Sequence, residues 1–159
     1  MKESGFWAML RERLVATGML VKRVENSSSA GMPDVNAAWN AKEVWLELKV
    51  FKGRRIEVRY SQVAWLRKRL AVGMNNTYFV ALDGNEIKVW EGAVIHRAAT
   101  NAVVGFCARE TEKSIIFEPP SPSLTIPRPF TEEKALALRN FLFDFQKFVT
   151  EALQNWKSA

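Results

Sequence analysis

The sequence is poor in residues that form disulfides or bind zinc, with one cysteine, Cys107, and one histidine among 159 residues. This scarcity excludes an intrachain disulfide framework and a zinc site made of several cysteines, and it is typical of a reducing cytoplasm. No apolar run approaches the roughly 20 residues that a helix needs to cross a bilayer. Residues 1–4 contain no apolar stretch resembling a secretory signal. We therefore expect a protein of the host or bacterial cytoplasm, without a membrane partner.

Acidic residues are outnumbered, because 23 Lys and Arg stand against 17 Asp and Glu, giving a net charge of +6. The resulting pI of about 9.7 favours a polyanionic partner, although charge alone does not specify one. With 48% hydrophobic residues, the chain is composed like a globular protein. Its length predicts one compact domain with a sizeable core.

Apolar periodicity predicts three helices, at residues 3–17, 61–70 and 131–156. Gly18 and Gly73 end the first two, and Thr131 caps the third. The predicted strands are residues 20–25, a strand opening at Asp34, a strand carrying residues 44–50, and a hairpin of residues 77–82 and 86–91.

The segment from residue 92 to residue 129 has weaker patterns. Residues 103–107 and 114–117 are predicted as short strands, and the proline-rich residues 119–129 as an extended linker. We therefore divide the chain into a core (1–92), an extension with the linker (93–130) and a C-terminal amphipathic helix (131–159). The apolar face of that helix either completes the core or forms a dimer contact.

The most informative stretch is a predicted β-hairpin that turns at Asn40 and the following alanine. Asparagine tolerates the positive φ that a two-residue hairpin loop requires. If Trp39 pairs with Lys42 across the turn, counting back along both strands sets Asp34 opposite Glu47. Directly opposed residues project to the same face of a sheet. The two carboxylates are therefore expected to lie close together.

Lys49 follows Glu47 by two residues, so it lies on the same face of the strand. Two neighbouring carboxylates repel each other unless a cation lies between them. Oxygen ligands of this kind suit Mg²⁺ or Mn²⁺. The residues therefore predict a metal site with a lysine beside it, and the alternative is the ordinary polar face of an amphipathic strand.

These residues resemble the signature of the PD-(D/E)xK nuclease superfamily, which is Pro33-Asp34, a gap, and then Glu47-x-Lys49. Residues 23–26, 31–35 and 61–66 resemble the virus-type replication-repair nuclease branch (VRR-NUC), which is close to Holliday-junction resolvases. The resemblance covers residues 2–90. It implies an α/β fold with a restriction-endonuclease-like core, a mixed central β-sheet flanked by helices in the order α-β-β-β-α-β, and here a long C-terminal helix in addition.

The resemblance also implies roles for individual residues. Asp34, Glu47 and the backbone carbonyl of Leu48 would ligate Mg²⁺, for which Mn²⁺ can substitute. Lys49 would orient or deprotonate the attacking water, or stabilise charge on the phosphate, and the sequence does not decide between these roles.

A glutamine and an acid complete the implied set of catalytic residues. Gln62, in the word Ser-Gln-Val-Ala-Trp, matches the glutamine. Glu3 matches the acid best and would support a second metal, while Glu12 and Glu25 are its competitors.

Residues on either side of the motif would contact DNA backbone phosphates. They are Ser27, Ser28, Ser29, Lys52, Arg54, Arg55, Arg59, Ser61, Arg67 and Lys68. A solvated charged face is the alternative explanation for each basic residue. Trp39, Trp45 and Trp65 offer rings for base stacking, although packing is the better explanation for each.

We therefore expect a Mg²⁺-dependent endonuclease that cuts branched DNA, such as a four-way junction. Symmetric cutting of a junction needs two active sites, which implies a homodimer. Flap-, nick- or restriction-type cutting remains an alternative, as does a non-catalytic DNA-binding protein with the same fold. The small size fits a phage-encoded or mobile-element protein.

Overall fold

The computed structural model describes residues 2–24, 30–105, 108–110 and 113–143. Within these residues the chain forms helices and strands in the following order: α1 (Glu3–Ala16), β1 (Leu20–Arg23), β2 (Val35–Trp39), β3 (Lys42–Val50), β4 (Ile56–Arg59), α2 (Tyr60–Ala71), β5 (Thr77–Asp83), β6 (Glu86–Glu91), α3 (Gly92–Val104), β7 (Arg109–Glu110), β8 (Ser114–Phe117), β9 (Leu124–Pro127) and α4 (Glu132–Leu142).

The main sheet has six strands in the order β1-β2-β3-β5-β6-β9. Strands β3 and β5 run parallel, and every other neighbouring pair in this sheet is antiparallel. A smaller antiparallel sheet has the order β4-β8-β7. The fold is thus α/β with a mixed central sheet flanked by helices, which confirms the predicted fold class.

Two hydrophobic cores lie on opposite faces of the main sheet, because successive strand residues point to alternate faces. On β3, Leu46 and Leu48 belong to the core that includes α1 and α4. On the other face, Phe79 and Ala81 of β5 pack with α2, α3 and the small sheet. Glu47 points to this second face, where α2 covers it.

All elements of the predicted core are present, and along the chain they follow one another as α1, β1, β2, β3, α2 and β5. One strand, β4, is inserted between β3 and α2. The predicted strands leave out residues 56–59, and this omission is wrong. Ile56 and Val58 alternate into the second core, but flanking arginines obscure this two-residue period.

The prediction of a strand at residues 103–107 is wrong for Val103 and Val104, because both belong to α3. Ile95, Ala99 and Ala102 recur at helical spacing and are buried against the second core. Residues 106 and 107 lie outside the described residues.

The proline-rich segment is extended, as predicted, but part of it is more than a linker. Residues Leu124–Pro127 form β9, which pairs antiparallel with β6. A proline is tolerated there because β9 is the edge strand and its free side needs no backbone donor.

Helix α4 begins as predicted, with the Thr131 side chain accepting a hydrogen bond from the Lys134 backbone N–H at 3.4 Å. Its apolar face, including Leu138 and Phe141, is buried in the first core. The described helix ends at Leu142, and the predicted continuation to residue 156 lies outside the described residues. None of the described helices has the length and apolarity that a membrane span requires.

Candidate active site

A two-residue turn fixes the register of the β2–β3 hairpin. Asn40 and Ala41 have φ values of 52° and 60°, the conformation of a tight hairpin turn whose twist suits the strands. Trp39 pairs with Lys42, which confirms the predicted register. Because the hairpin has no bulge in β2, this single pairing sets the position of every residue up to the start of β2.

That register brings Asp34, the residue before β2, next to Glu47. The Asp34 carboxylate Oδ2 accepts a hydrogen bond from the Leu48 backbone N–H at 3.0 Å. Its backbone carbonyl accepts one from the Val24 N–H at 2.7 Å. Asp34 is therefore held from both sides, by the strands that flank β2.

Gln62 joins the predicted acid to the predicted lysine. Its Nε2 donates to Oε1 of Glu47 at 2.8 Å, and its Oε1 accepts from Nζ of Lys49 at 3.0 Å. The same Oε1 accepts from the Arg59 backbone N–H at 3.0 Å, which fixes the orientation of the amide. Gln62 lies in the first turn of α2, so the start of this helix positions both side chains of the Glu-x-Lys motif.

Glu47 is an almost fully buried acid, 3% exposed. Burial raises its pKa well above the usual glutamate range, since the charged form loses its hydration, and Asp34 and Glu3 raise it further. Lys49 opposes this shift. The second carboxylate oxygen of Glu47, Oε2, has no hydrogen-bond partner among the described residues. A buried acceptor without a donor is costly, so this oxygen needs a proton or a cation.

Glu3 is the candidate acid from α1 that lies at the site. Its carboxylate contacts the Arg23 guanidinium at 3.4 Å. Burial and the nearby Asp34 raise the pKa of Glu3, while Lys49 lowers it, so the group lies within the field of the motif residues. Glu12 is exposed nine residues further along α1, about 13.5 Å along the helix axis. Glu25 lies outside the described residues.

A cleft of about 380 Å³ opens at these residues. Glu3 and Lys49 line it together with Lys52, Glu57 and Arg59. Glu57, on β4, accepts a hydrogen bond from the Ser114 hydroxyl at 2.6 Å, which lowers its pKa. Glu57 is a candidate site residue that was not predicted from the sequence, because its strand was not predicted. The alternation of Ile56 and Val58 around it was the available signal.

Gly31 holds the Asp34 segment against α2. It has a φ of +81°, and a methyl group added there would overlap the backbone carbonyl of Ser61. Only glycine allows both this conformation and this close approach. The glycine before the Pro-Asp word therefore positions Asp34 relative to Gln62.

The predicted phosphate-binding residues lie at different places. Lys52 and Arg59 line the cleft, and the carbonyl of Ser61 faces the Gly31 segment. Arg54 lines a separate pocket, and Arg55 is exposed in the same loop.

Arg67 and Lys68 are exposed on α2, five and six residues after Gln62. At about 100° of rotation per residue, they project away from the helix face that carries Gln62. Ser27, Ser28 and Ser29 lie outside the described residues.

The oxygen donors at the site are those that a divalent metal would use. In the part of the chain that the structure describes, no three His, Cys, Asp or Glu side chains form a metal-binding group. The site instead offers two carboxylates, Asp34 and Glu47, one of which has an unpartnered buried oxygen. Mg²⁺ is commonly bound through one or two carboxylates, with waters and substrate phosphates completing its shell. The residues present therefore fit Mg²⁺ better than a cation that needs an all-protein cage.

No protein-family model and no curated protein matches the chain. Among solved structures, it is similar to a Holliday junction resolvase from the archaeal hyperthermophile Archaeoglobus fulgidus. The likeness covers 78% of this chain and 94% of that chain, with a TM-score of 0.51 and 17% identity. The fold is restriction-endonuclease-like. At this identity, the resolvase supports the restriction-endonuclease-like fold and nothing finer.

Two further solved structures are similar at TM-scores below 0.5. A bacterial homing endonuclease covers 99% of this chain and 96% of its own at 12% identity and a TM-score of 0.41. The likeness to a nuclease from a fusselovirus covers 91% of this chain and 90% of that chain, at 14% identity and a TM-score of 0.46.

Proposed function

We propose that this protein is a Mg²⁺-dependent DNA endonuclease that hydrolyses phosphodiester bonds in branched DNA. The observation that carries the proposal is the joining of Glu47 and Lys49 through Gln62, with Asp34 beside them, on a restriction-endonuclease-like fold. A buried acid with an unpartnered oxygen destabilises the protein, so its presence favours a functional role such as binding a cation.

Asp34 and Glu47 would hold the metal in this proposal. When bound, Mg²⁺ supplies positive charge to the scissile phosphate and lets water lose a proton near neutral pH. With a cation between them, Asp34 and Glu47 would repel each other less, and Glu47 Oε2 would gain a partner.

Lys49 would stabilise the charge that develops on the phosphate. Its ammonium group has three donors, of which Gln62 engages one. The remaining donors have no hydrogen-bond partner within the described part of the chain, so they would be available to a phosphate oxygen and to the attacking water, which Lys49 would thereby orient. Glu3, held by Arg23 at the cleft, would assist at a second metal.

Lys52 and Arg59 would grip the DNA backbone at the cleft. The resemblance of the motif words to virus-type replication-repair nucleases and resolvases supports branched DNA as the substrate. A homodimer would then supply the second active site for paired cuts. The described part of α4 is committed to the monomer core, so the dimer contact would come from another surface.

The proposal is tested by incubating purified protein and Mg²⁺ with labelled four-way junction, flap and linear duplex of matched sequence. We expect cleavage of the branched substrates at several times the rate of the linear duplex. Asp34→Ala should bind DNA but cut it at least about 100-fold more slowly, the scale on which one charge-stabilising group acts.

Two further variants separate the roles of the α1 acids. Glu3→Gln should slow cleavage, and Glu12→Gln, an exposed acid of the same helix outside the cleft, should not.

Light scattering of the protein–junction complex tests the dimer. Binding without cleavage by the wild type, on all three substrates, would favour a non-catalytic DNA-binding protein instead.

A further inference from the structure

One row of side chains crosses three strands next to the candidate site. Lys22 of β1 lies opposite Asn36 of β2, and Asn36 lies opposite Trp45 of β3. Opposed residues share a face, so all three project to the same side of the sheet. This is also the side of Asp34 and Glu47, which are two residues away along β2 and β3. At about 3.3 Å per residue, the two rows are about 7 Å apart.

This row forms part of an open groove of about 650 Å³. Lys22, Arg23 and Val24 form one side, and Asn36, Glu43 and Trp45 complete the lining. The groove therefore lies on the side of the sheet that carries the carboxylate pair, next to it along β2 and β3.

Trp45 differs from the other two tryptophans that offered rings for stacking. Trp39 packs on the first core and Trp65 on the second, whereas Trp45 belongs to neither. Its ring is half-buried and rests edge-on against Trp65, with centroids 6.1 Å apart. Trp65 is itself held by the Arg69 guanidinium, 5.0 Å from its ring. Trp45 is thus a supported aromatic surface in a polar groove.

We propose that this groove binds an unpaired nucleotide next to the scissile phosphate, with its base stacked on Trp45. Lys22 is exposed and contacts the neighbouring phosphate, and the Asn36 amide donates to the sugar or phosphate. The inference rests on the proposed nuclease function and narrows its substrate to DNA whose strands separate at the cut.

The preference for an unpaired nucleotide follows from the surface that a base can offer. In continuous duplex, both faces of a base are stacked on neighbouring bases, so neither is free to contact an indole ring. A base at a flap or a branch point is free of this constraint. Stacking on an aromatic side chain is also tolerant of sequence, because every base has a π-face.

Binding without cleavage tests the groove directly. A forked DNA carries 2-aminopurine at successive positions around the branch, and a paired duplex carries it at the same positions. Both are titrated with protein in Ca²⁺ in place of Mg²⁺. We expect 2-aminopurine fluorescence to be quenched at one unpaired position of the fork and at no position of the duplex.

Three variants then assign the effect to Trp45. Trp45→Leu keeps an apolar contact with Trp65 but removes the stacking ring, so it should lose the quenching. Its affinity for the fork should fall about 5- to 150-fold relative to the duplex, the range of base–aromatic stacking. Trp45→Phe should retain most of both signals. Trp39→Phe, in the first core, is the matched control and should behave as wild type.

The outcomes separate this inference from the proposed function. If wild type cuts DNA with Mg²⁺ but Trp45→Leu keeps the wild-type fork-to-duplex ratio, the groove assignment is wrong and the nuclease proposal stands. If wild type cuts no DNA, the nuclease proposal fails, and fork-specific quenching that depends on Trp45 still supports the groove as a single-strand site. Equal quenching on fork and duplex contradicts the inference.

Discussion

Gln62 is the residue through which the acid and the amine of the motif are held together. It bonds Glu47 through its amide nitrogen and Lys49 through its amide oxygen. A lysine bonded directly to Glu47 would neutralise the acid. The amide instead orients both groups and leaves Glu47 Oε2 without a partner among the described residues.

Replacing Gln62 with alanine removes both contacts. We expect the single-turnover cleavage rate to fall about 10- to 100-fold, the usual effect of losing a partner that orients metal ligands. The pKa of Glu47 should rise further, because its charged form loses a donor, and the acid limb of the pH–rate profile should move to higher pH. If neither the acid limb of the pH–rate profile nor the single-turnover cleavage rate changes, Gln62 has only a structural role.

Burial of Glu47 makes the stability of the metal-free protein depend on pH. In the unfolded chain, Glu47 loses its proton at about pH 4.3. In the folded protein its pKa is higher, so it keeps the proton to higher pH. The unfolded state then binds fewer protons, so the free energy of unfolding falls as pH rises between the unfolded and folded pKa values.

Glu47→Gln removes this pH dependence while its amide oxygen can still accept from Gln62. In EDTA, the variant should be about as stable as wild type near pH 4 and more stable at pH 7. Chemical denaturation at both pH values measures the difference. If the variant is less stable than wild type at pH 7, then burial of the charged Glu47 side chain does not destabilise the metal-free protein, and the explanation is wrong.

The pairing of Asp34 with Glu47 could be predicted from sequence because it depends on one local turn. Counting residues from Asn40 is enough, as every step along a hairpin is fixed by the previous one. The Arg23–Glu3 contact and the place of Glu57 in the cleft could not be predicted. Both depend on elements brought together from distant parts of the chain.

At the scale of elements, the Asp34 segment and the start of α2 are in contact through Gly31. Backbone strain alone should make Gly31→Ala about 1–3 kcal/mol less stable than wild type. The overlap of the added methyl group with the Ser61 carbonyl should add a further loss of stability. The substitution should also slow cleavage, because Asp34 and Gln62 move apart.

Gly73 is the matched control for this substitution. Its φ of +82° is nearly the same, but an added methyl group meets no atom within 4 Å. Gly73→Ala should therefore show the strain cost alone, with cleavage unchanged. Urea denaturation and single-turnover rates compare the two, and equal losses of activity would refute the positional role of Gly31.

Strands β4 and β9 and helix α3 show why other elements escaped prediction. Strands β4 and β9 are short, and each is stabilised by pairing with a strand far along the chain. Arginines around β4 and prolines around β9 are local signals for a loop. Helix α3 lies where the apolar residues Val103 and Val104 favoured a strand, and tertiary packing of Ile95 and Ala99 decides the outcome.

At the scale of the whole molecule, we expect the net positive charge to contribute to DNA binding where it faces the cleft or the groove. Arg59→Ala removes one cleft cation but keeps the backbone N–H that bonds Gln62. The slope of log K against log salt concentration for duplex binding should become shallower by about 0.9, the value for one phosphate contact. Arg11→Ala, an exposed position on α1, should leave the slope unchanged. Fluorescence anisotropy at several salt concentrations measures both.

In the proposed function, Asp34 and Glu47 bind a divalent cation that cleavage requires. The most direct test is the single-turnover cleavage rate of a labelled branched DNA as Mg²⁺ is titrated from zero, for wild type and Glu47→Gln. We predict no cleavage in EDTA, a saturable rise with Mg²⁺ for wild type, and a rate at least about 100-fold lower for the variant. Cleavage by Glu47→Gln at the wild-type rate, or wild-type cleavage that persists in EDTA, would contradict the account.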